Sequence, residues 1–391
     1  MSRFLFVVPP LVGHINPTVG VAARLTAAGH EVGWVGPNVA LAPLVGPGAA
    51  FYPTDRPLSD FTPMGRPPQL RGFASLKFLW EEFLVPLAEG MAPVVDAAVH
   101  EFAPDALLVD QQAMAGALVA ERRDIPWATS ATTSAELVQP LSEMPKVAAW
   151  LDDLLAGLRR RHGSTAATHD LRFSPHGVLA FSTAELVGPV DGNVVFVGPS
   201  IDERPDDTPF PWSSLDGRPV VLVTLGTANA DAGGPFLAAA AEALSGLSDL
   251  VQGVVVDPTG ELCSKDDVLV VRRVPQLALL PRCAAVVCHG GHNTVCEALS
   301  HGVPLVVAPI RDDQPIVAQQ VVDAGAGVRV RFGRVRAELL RSSIAATLAE
   351  SSGYAEGARR IQKSFASAGG ADAAANWLSE LAATRTSGLK R

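Results

Sequence analysis

The stretch from Cys288 to Gln314 constrains the fold of this chain more than any other. A short apolar run precedes it and is typical of a buried parallel strand. Two glycines, Gly290 and Gly291, then let the backbone turn sharply, and we expect Asn293 or Thr294 to cap the helix that follows. A glycine turn entering a helix N-terminus presents N–H groups and the positive end of the helix dipole. The pattern therefore predicts an anion site, most often a phosphate site, in an open α/β sheet.

Further polar side chains accompany this turn. His289 is placed to add a hydrogen bond or a charge to the anion, and Glu297 lies one helical turn further on, where its carboxylate could bind two hydroxyls. A second apolar strand, residues 304–308, leads to the polar pair Asp313 and Gln314. Ligands in open α/β sheets bind at the carboxyl ends of the strands, so we expect these groups to line one site.

The spacing of these residues resembles the donor signature of the GT-B nucleotide-sugar glycosyltransferases. In that signature a His opens the motif, Asn and Ser or Thr follow, then Glu, and an Asp-Gln pair closes it. The matching residues here are His289, Asn293, Thr294, Glu297, Asp313 and Gln314. The alternative is an ordinary Rossmann-like turn with incidental polar residues. The resemblance implies an α/β protein of two Rossmann-like, doubly wound domains that face each other across a cleft.

The first 35 residues predict the start of one such domain. Residues 3–9 form a strand, a helix capped by Asn16 with Pro17 in its first turn runs to Gly29, and residues 30–35 form the second strand. The loop sequence Gly13-His14-Ile15-Asn16-Pro17 resembles the GHxxP motif of the same family. By that resemblance His14 is the catalytic base; the alternative is a histidine with a structural role only.

Two more residues of the first half follow predicted strands. Residues 105–109 form a strand that ends at Asp110, which matches the family's acidic partner of the catalytic His. The alternative role for Asp110 is capping of the segment that begins at Gln111. Thr132 follows the strand 127–130 and lies, by resemblance, near the position where the family contacts donor or acceptor hydroxyls.

The second half opens with the strand 220–224. Gly226 and Thr227 follow it and resemble the family's turn that approaches the diphosphate of the donor. The tract Val274-Pro275-Gln276 resembles the base-binding segment. One departure stands beside it, because the family usually has an aromatic residue where Arg273 occurs; a guanidinium can also stack on a base.

From these motifs we predict four segments. They are an acceptor-binding domain over residues 1–205, a linker over 206–219, a nucleotide-sugar-binding domain over 220–365, and a C-terminal helix over 366–391 that packs back on the first domain. Residues 36–100 carry several large apolar side chains, which we expect to pack in the core or to line an apolar acceptor pocket: Phe61, Met64, Phe73, Phe78, Trp80 and Phe83. The run Arg159-Arg160-Arg161 is predicted to be a solvated helix end.

Composition narrows the alternatives. The 391 residues suffice for two ordinary domains, and a net charge of −9 makes a nucleic-acid partner unexpected. We expect no transmembrane helix, and a cytoplasmic monomer or homodimer. The four cysteines lack a paired CxxC spacing, so we expect buried, reduced thiols rather than a metal site.

The resemblance implies an inverting transfer of a hexose, from UDP-glucose by our prediction, to a hydroxyl of an apolar small molecule. Such chemistry needs no bound metal or other cofactor in this family. Two other classes stay open: a non-catalytic homologue that activates a partner glycosyltransferase, and a sugar-nucleotide epimerase. A nicotinamide dehydrogenase is less favoured, because no GxGxxG follows the first strand.

Overall fold

The computed structural model describes residues 1–42, 44–45, 49–54, 70, 72–201, 206–226, 233–265 and 267–388. The chain forms two compact units. Unit 1 comprises residues 1–182, 189–204 and 368–391, and unit 2 comprises residues 183–188 and 205–367. The described part of the predicted linker, residues 206–219, groups with unit 2, where Trp212 packs edge-on against Phe210 and under the guanidinium of Arg282.

Unit 1 is built on a parallel sheet of seven strands in the order β3-β2-β1-β4-β5-β6-β7. The strands are β1 (Arg3–Val7), β2 (Glu31–Gly36), β3 (Ala50–Pro53), β4 (Ala106–Asp110), β5 (Trp127–Ala131), β6 (Val178–Ala180) and β7 (Val194–Phe196). The order reverses direction between β1 and β4, which is the switch point where ligands bind in doubly wound sheets. The predicted α/β class is confirmed.

Helices cover both faces of this sheet because its central strands are apolar on both sides. The α-helices are α1 (Val12–Ala27), α2 (Asn38–Leu41), α3 (Gly72–Phe78), α4 (Val85–Phe102), α5 (Ala115–Arg123), α6 (Pro145–His162) and, after unit 2, α14 (Gly370–Gly388). Leu5 and Val7 of β1 pack with α4 and α5 on one face, and Phe4 and Phe6 pack with α1 and α14 on the other.

Unit 2 repeats the same plan with six parallel strands in the order β10-β9-β8-β11-β12-β13. The strands are β8 (Val220–Thr224), β9 (Gln252–Val256), β10 (Val268–Val271), β11 (Cys283–Cys288), β12 (Leu305–Val307) and β13 (Gly327–Arg329). The helices are α7 (Ala184–Val187), α8 (Gly234–Ser245), α9 (Gln276–Leu279), α10 (His292–Ser300), α11 (Gln314–Asp323), α12 (Ala337–Leu348) and α13 (Tyr354–Ala368). Here the order reverses between β8 and β11.

The first helix begins earlier than predicted. α1 starts at Val12, so Pro17 lies inside it and Asn16 does not cap it. Ile15 is fully buried, and its packing extends the helix toward the N-terminus. This extension costs one backbone hydrogen bond, because Pro17 has no N–H group to donate. The predicted end is confirmed: Gly29 has φ +82°, and the N–H groups of Gly29 and His30 bond to Thr26 and Leu25.

The terminal helix α14 packs on α1 within unit 1. Arg24 of α1 forms an ion pair with Asp372 at 3.0 Å. The indole of Trp377 lies so close to Gly177 that a Cβ there would approach its Cζ2 to 2.3 Å. A glycine at this position therefore lets the tryptophan ring lie against the backbone.

One helical run, residues 72–102, is apolar and long enough to cross a membrane by length and composition alone. The most apolar part of this run is half buried inside the protein, and Trp80, Phe83 and Met91 belong to the core of unit 1. We therefore interpret it as a core helix, interrupted by a π-helical turn over Leu79–Leu84. Phe73 differs from these residues: it is 48% exposed and meets Trp150 edge-on. Phe78 is half-buried, and the remaining two predicted apolar positions, Phe61 and Met64, lie outside the described residues.

Two sequence expectations need correction. Cys288 and Cys296 are buried, and burial raises the pKa of the Cys288 thiol to about 12, but Cys263 is exposed. The Arg159 side chain is not a solvated helix end, because it forms a two-point ion pair with the buried Glu121 at 2.8 and 3.1 Å.

Candidate active site

Three polar residues of unit 1 meet at the switch point of its sheet. His14 lies in the first turn of α1 just after β1, Asp110 is the last residue of β4, and Thr132 directly follows β5. The strands β1, β4 and β5 are neighbours and parallel. Their carboxyl ends therefore lie at one edge of the sheet, which places the three side chains together.

The imidazole of His14 is bound to the carboxylate of Asp110. Its Nδ1 lies 3.0 Å from both carboxylate oxygens, and the Asp110 side chain is fully buried while that of His14 is 16% exposed. An ionised carboxylate only accepts hydrogen bonds, so Nδ1 carries the proton and Nε2 is the basic nitrogen. This arrangement can accept a proton at Nε2 and stabilise the resulting cation through Asp110.

Asp110 also fulfils part of its alternative role. Its Oδ1 accepts the backbone N–H of Gln112 at 2.8 Å, which holds the turn after β4. The helix α5 begins only at Ala115, so Asp110 is not its N-cap. The contact to His14 and the hydrogen bond to Gln112 coexist, since one carboxylate accepts several hydrogen bonds.

The structure gives Thr132 a partner that the sequence did not predict. Its hydroxyl lies 2.7 Å from His14 Nδ1 and 2.9 Å from Asp110 Oδ2. The sequence signal was its position directly after β5, the neighbour of the strand that carries Asp110. The resemblance alone had placed Thr132 at sugar hydroxyls.

In unit 2 His289 follows β11, at the switch point of the second sheet. Its ring lies between two glycines: a Cβ on Gly226 would approach its Cε1 to 2.7 Å, and one on Gly291 would approach its Nε2 to 2.5 Å. With the His289 ring in this position, neither Gly226 nor Gly291 can be replaced by a residue with a side chain without moving the ring or the backbone. Thr227, the next predicted donor-binding residue after Gly226, lies outside the described residues.

His289 is neutral near pH 7 in this structure. Burial and the nearby charge of Arg311 lower the pKa of its imidazole to about 4. Its Nδ1 is buried without a hydrogen-bond partner in the described protein. A buried nitrogen without a partner is unfavourable unless a ligand supplies one, so His289 is suited to hydrogen-bond an anion rather than to neutralise it. Apart from its place after β12, the sequence carries no signal that Arg311 affects the charge of His289.

The helix that follows begins with Gly291 as its N-cap. Neither Asn293 nor Thr294 caps it, contrary to our prediction, because both lie inside α10, which starts at His292. Gly291 itself has no side chain that could form a cap hydrogen bond. The first turn of α10 therefore presents its backbone and dipole end beside His289, an arrangement that favours an anion.

Glu297, one turn along α10, is buried and paired. Its Oε2 accepts a hydrogen bond of 2.5 Å from Nε2 of Gln276, the first residue of α9. The hydrogen bond thus connects Glu297 to Gln276 of the predicted base-binding segment. Val274, in the same segment, is half-buried. Arg273 is exposed and lines an open groove of about 610 Å³ together with Arg272, Asp206 and Asp207.

Asp313 and Gln314 stand at the start of α11. Asp313 is half-buried at the N-cap position. The Oε1 of Gln314 accepts the backbone N–H groups of Ile310 and Arg311 at 2.8 and 3.1 Å. Gln314 therefore holds the loop after β12, and its amide N–H₂ group is the part that can donate to a ligand.

Among the described residues, no group of three or more His, Cys, Asp or Glu side chains is arranged to hold a metal ion. The groups of unit 2 that are suited to an anion are a helix terminus, glycine turns and a neutral imidazole.

The chain resembles known proteins along most of its length. Residues 252–381 match the family described as "Erythromycin biosynthesis protein CIII-like, C-terminal domain". The chain is 30% identical to 4'-demethylrebeccamycin synthase of Lentzea aerocolonigenes, over 89% of this chain and 92% of that protein. It is 26% identical to a protein of Bacillus subtilis named "Uncharacterized UDP-glucosyltransferase YdhE", over 93% and 94% of the two chains.

A solved structure shows the same fold. The structure titled as the glycotransferase of kitacinnamycin superposes with a TM-score of 0.78 at 26% identity and covers 97% of this chain and 98% of its own. Together with the strand orders of the two sheets, these matches assign the chain to the family 1 natural-product glycosyltransferases, which have the GT-B fold.

Proposed function

We propose that this glycosyltransferase transfers a hexose, glucose from UDP-glucose, to a hydroxyl of an apolar small molecule, with inversion at the anomeric carbon. The observation that carries the proposal is the His14–Asp110 pair, with Nδ1 at 3.0 Å from both carboxylate oxygens. An alcohol is a weak nucleophile, so a base that removes its proton in the transition state lowers the barrier. His14 supplies that base, and Asp110 stabilises the imidazolium.

The donor is bound by unit 2. The turn at Gly226, the first turn of α10 and the neutral His289 supply hydrogen bonds to the diphosphate, whose charge increases as the bond to the sugar breaks. Glu297 binds the ribose, and Asp313 with the amide of Gln314 binds sugar hydroxyls. Arg273 lies beside the segment that we assign to the base. The glucosyltransferase relative from Bacillus subtilis, whose name specifies UDP, supports this donor.

The acceptor is apolar by this proposal. Val12, two residues before His14, is 46% exposed, and Phe73 with Trp150 adds a partly exposed aromatic pair to unit 1. A hydroxylated polyketide, macrolide or flavonoid-like molecule has the matching chemistry. We place the reaction in the cytoplasm.

The test is an acceptor panel incubated with UDP-glucose and analysed by mass spectrometry, with wild-type protein and His14→Ala. We expect hexose adducts with wild type and a 10²–10⁴-fold slower reaction with the variant. His100→Ala is the matched control, because His100 is an exposed histidine on α4. Transfer by His14→Ala at more than about a tenth of the wild-type rate would exclude His14 as the general base.

The nucleotide is tested by comparing kcat/KM for UDP-glucose and dTDP-glucose. A deoxyribose offers one hydroxyl fewer to the buried Glu297, and an unsatisfied buried group costs about 1–3 kcal/mol. We therefore expect UDP-glucose to be used about 5- to 150-fold better. Equal values, or a dTDP preference unchanged in Glu297→Ala, would remove Glu297 as the selector.

We propose further that the reaction requires no resident metal or cofactor. Activity should then persist in EDTA. Loss on chelation with recovery on addition of Mg²⁺ or Mn²⁺ would contradict this part of the proposal while leaving the glycosyl transfer itself intact.

A further inference from the structure

Three polar atoms form a closed triangle at the switch point of unit 1. The Oγ1 of Thr132 lies 2.7 Å from His14 Nδ1 and 2.9 Å from Asp110 Oδ2, and Nδ1 lies 3.0 Å from that same oxygen. Asp110 and Thr132 are both nearly fully buried. Water therefore competes little for these hydrogen bonds, and their geometry is set by the protein.

Counting protons fixes the direction of each bond in the triangle. A carboxylate only accepts, and a hydroxyl has one proton to donate. If Thr132 donated to Nδ1, an unprotonated nitrogen would face two carboxylate oxygens at 3.0 Å with no proton between them. The consistent arrangement is that Thr132 donates to Asp110 Oδ2 and its lone pair faces the Nδ1–H of His14.

Each oxygen of Asp110 then has a second donor besides the imidazole. Oδ1 accepts the Gln112 backbone N–H at 2.8 Å, and Oδ2 accepts the Thr132 hydroxyl. These two donors fix the plane of the carboxylate. The Thr132 side chain is itself restricted, because a β-branched residue has few χ1 rotamers.

We propose that Thr132 is a positioning residue of the catalytic pair: its hydroxyl orients the Asp110 carboxylate and gives the Nδ1–H of His14 an additional acceptor, which restrains the imidazole whose Nε2 takes the acceptor proton. This inference rests on the proposed glycosyl transfer. It differs from the expectation for Thr132 drawn from the family resemblance, which was a contact to sugar hydroxyls.

The test compares Thr132→Val, which keeps the shape without the hydroxyl, with Thr132→Ser, which keeps the hydroxyl. Rates are measured with acceptors of graded acidity, from an aliphatic alcohol to a nitrophenol, and the Kd for UDP-glucose is measured by calorimetry. An acidic phenol needs less help from a base. We expect Thr132→Val to lower kcat/KM about tenfold with the alcohol and less than twofold with the nitrophenol, with an unchanged donor Kd and recovery in Thr132→Ser.

Three results would overturn the proposal. Equal loss with every acceptor would indicate a structural role, a weaker donor Kd would indicate a sugar contact, and no loss would indicate no role. If Thr132→Val does not fold, Thr132→Ala and Thr132→Ser take its place in the same comparison.

A measurement without turnover separates this inference from the proposed function. In ¹⁵N-histidine-labelled protein, the His14 signal is assigned by its absence in His14→Ala. Asp110 alone specifies the Nδ1–H tautomer, so we expect that tautomer in wild type, Thr132→Ser and Thr132→Val. We expect the ¹⁵N chemical shift of Nδ1 to change in Thr132→Val and to stay at its wild-type value in Thr132→Ser, because only the hydroxyl contact at 2.7 Å differs between them. A wild-type Nδ1 shift in Thr132→Val would overturn the inference, whereas an absence of transfer by wild-type protein to any acceptor would contradict the proposed function alone.

Discussion

Replacing Gly291 with alanine tests the contact that holds His289 in place. Gly291 has φ −61° and ψ 132°, a conformation open to any residue, so alanine adds no backbone strain. Its Cβ would lie 2.5 Å from Nε2 and 2.8 Å from Cε1 of His289. That ring is buried and also lies against Gly226, so it cannot turn aside without moving a second segment.

The magnitude follows from the distance. Ordinary contacts of a Cβ are at 3.4–4 Å, so the ring or the turn must move by about 1 Å. Overpacking of this kind costs about 1–3 kcal/mol in the free energy of unfolding. A misplacement of about 1 Å in a catalytic site can lower the rate up to about 10²-fold. We expect Gly291→Ala to weaken UDP binding and to reduce kcat/KM by about 10- to 100-fold.

The assay is calorimetric titration with UDP, accompanied by urea unfolding. Gly234→Ala is the matched control, because Gly234 starts α8 with no atom within 4 Å of its hypothetical Cβ. The control should change stability by no more than about 0.5 kcal/mol and leave the UDP affinity unchanged. If Gly291→Ala binds UDP within twofold of the control, the assignment of His289 to the diphosphate is refuted.

Three further predictions concern stability. The pKa of His289 is lowered from 6.5 to about 4 in the folded protein, so the unfolded chain binds the proton at a higher pH. The free energy of unfolding should therefore fall by up to about 1.4 kcal/mol per pH unit as the pH decreases from 6.5 toward 4. Urea titrations at several pH values should show a smaller slope for His289→Gln. Gly177→Ala should lower the free energy of unfolding by about 1–3 kcal/mol, because the new Cβ clashes with Trp377. In a Trp377→Leu background the same substitution should lower it little, and equal losses in both backgrounds would exclude the contact. Arg159→Met should cost about 1–3 kcal/mol in the free energy of unfolding, because the buried Glu121 carboxylate loses both guanidinium hydrogen bonds and keeps the imidazole of His169, whose Nε2 lies 2.9 Å away. The double variant Arg159→Met with Glu121→Leu should recover most of that loss, measured by thermal melting.

The sequence predicted the architecture well because apolar runs and glycine turns are local signals. The runs before Asp110 and before His289 became β4 and β11, both central and buried. Once the order of a doubly wound sheet is assumed, the carboxyl ends of β1 and β4 are neighbours. The contact between His14 and Asp110, 96 residues apart, is a consequence of that order.

Helix starts were predicted less well, because tertiary packing decided them. Asn16 followed by Pro17 has the composition of a helix start, yet burial of Ile15 moves the start to Val12 and places His14 in the first turn. The same happened at α10, where Asn293 and Thr294 have cap-forming side chains but the helix begins at His292. A cap contributes about 1 kcal/mol, which the burial of one apolar side chain exceeds.

The partners of polar side chains were the least predictable, because they depend on the path of a loop over a few ångströms. Gln314 has the sequence position of a sugar ligand, but its carbonyl oxygen accepts two N–H groups of its own loop. Thr132 was expected, by resemblance, to contact hydroxyls of the substrate, but its own hydroxyl lies against Asp110 and His14. In both cases a buried backbone or carboxylate group requires a hydrogen-bond partner and forms the bond with a nearby side chain. Leaving that group unpaired would cost about 1–3 kcal/mol. A functional motif therefore specifies which residues stand at the site, while the hydrogen-bond requirements of the buried neighbours decide which of their atoms remain for the substrate.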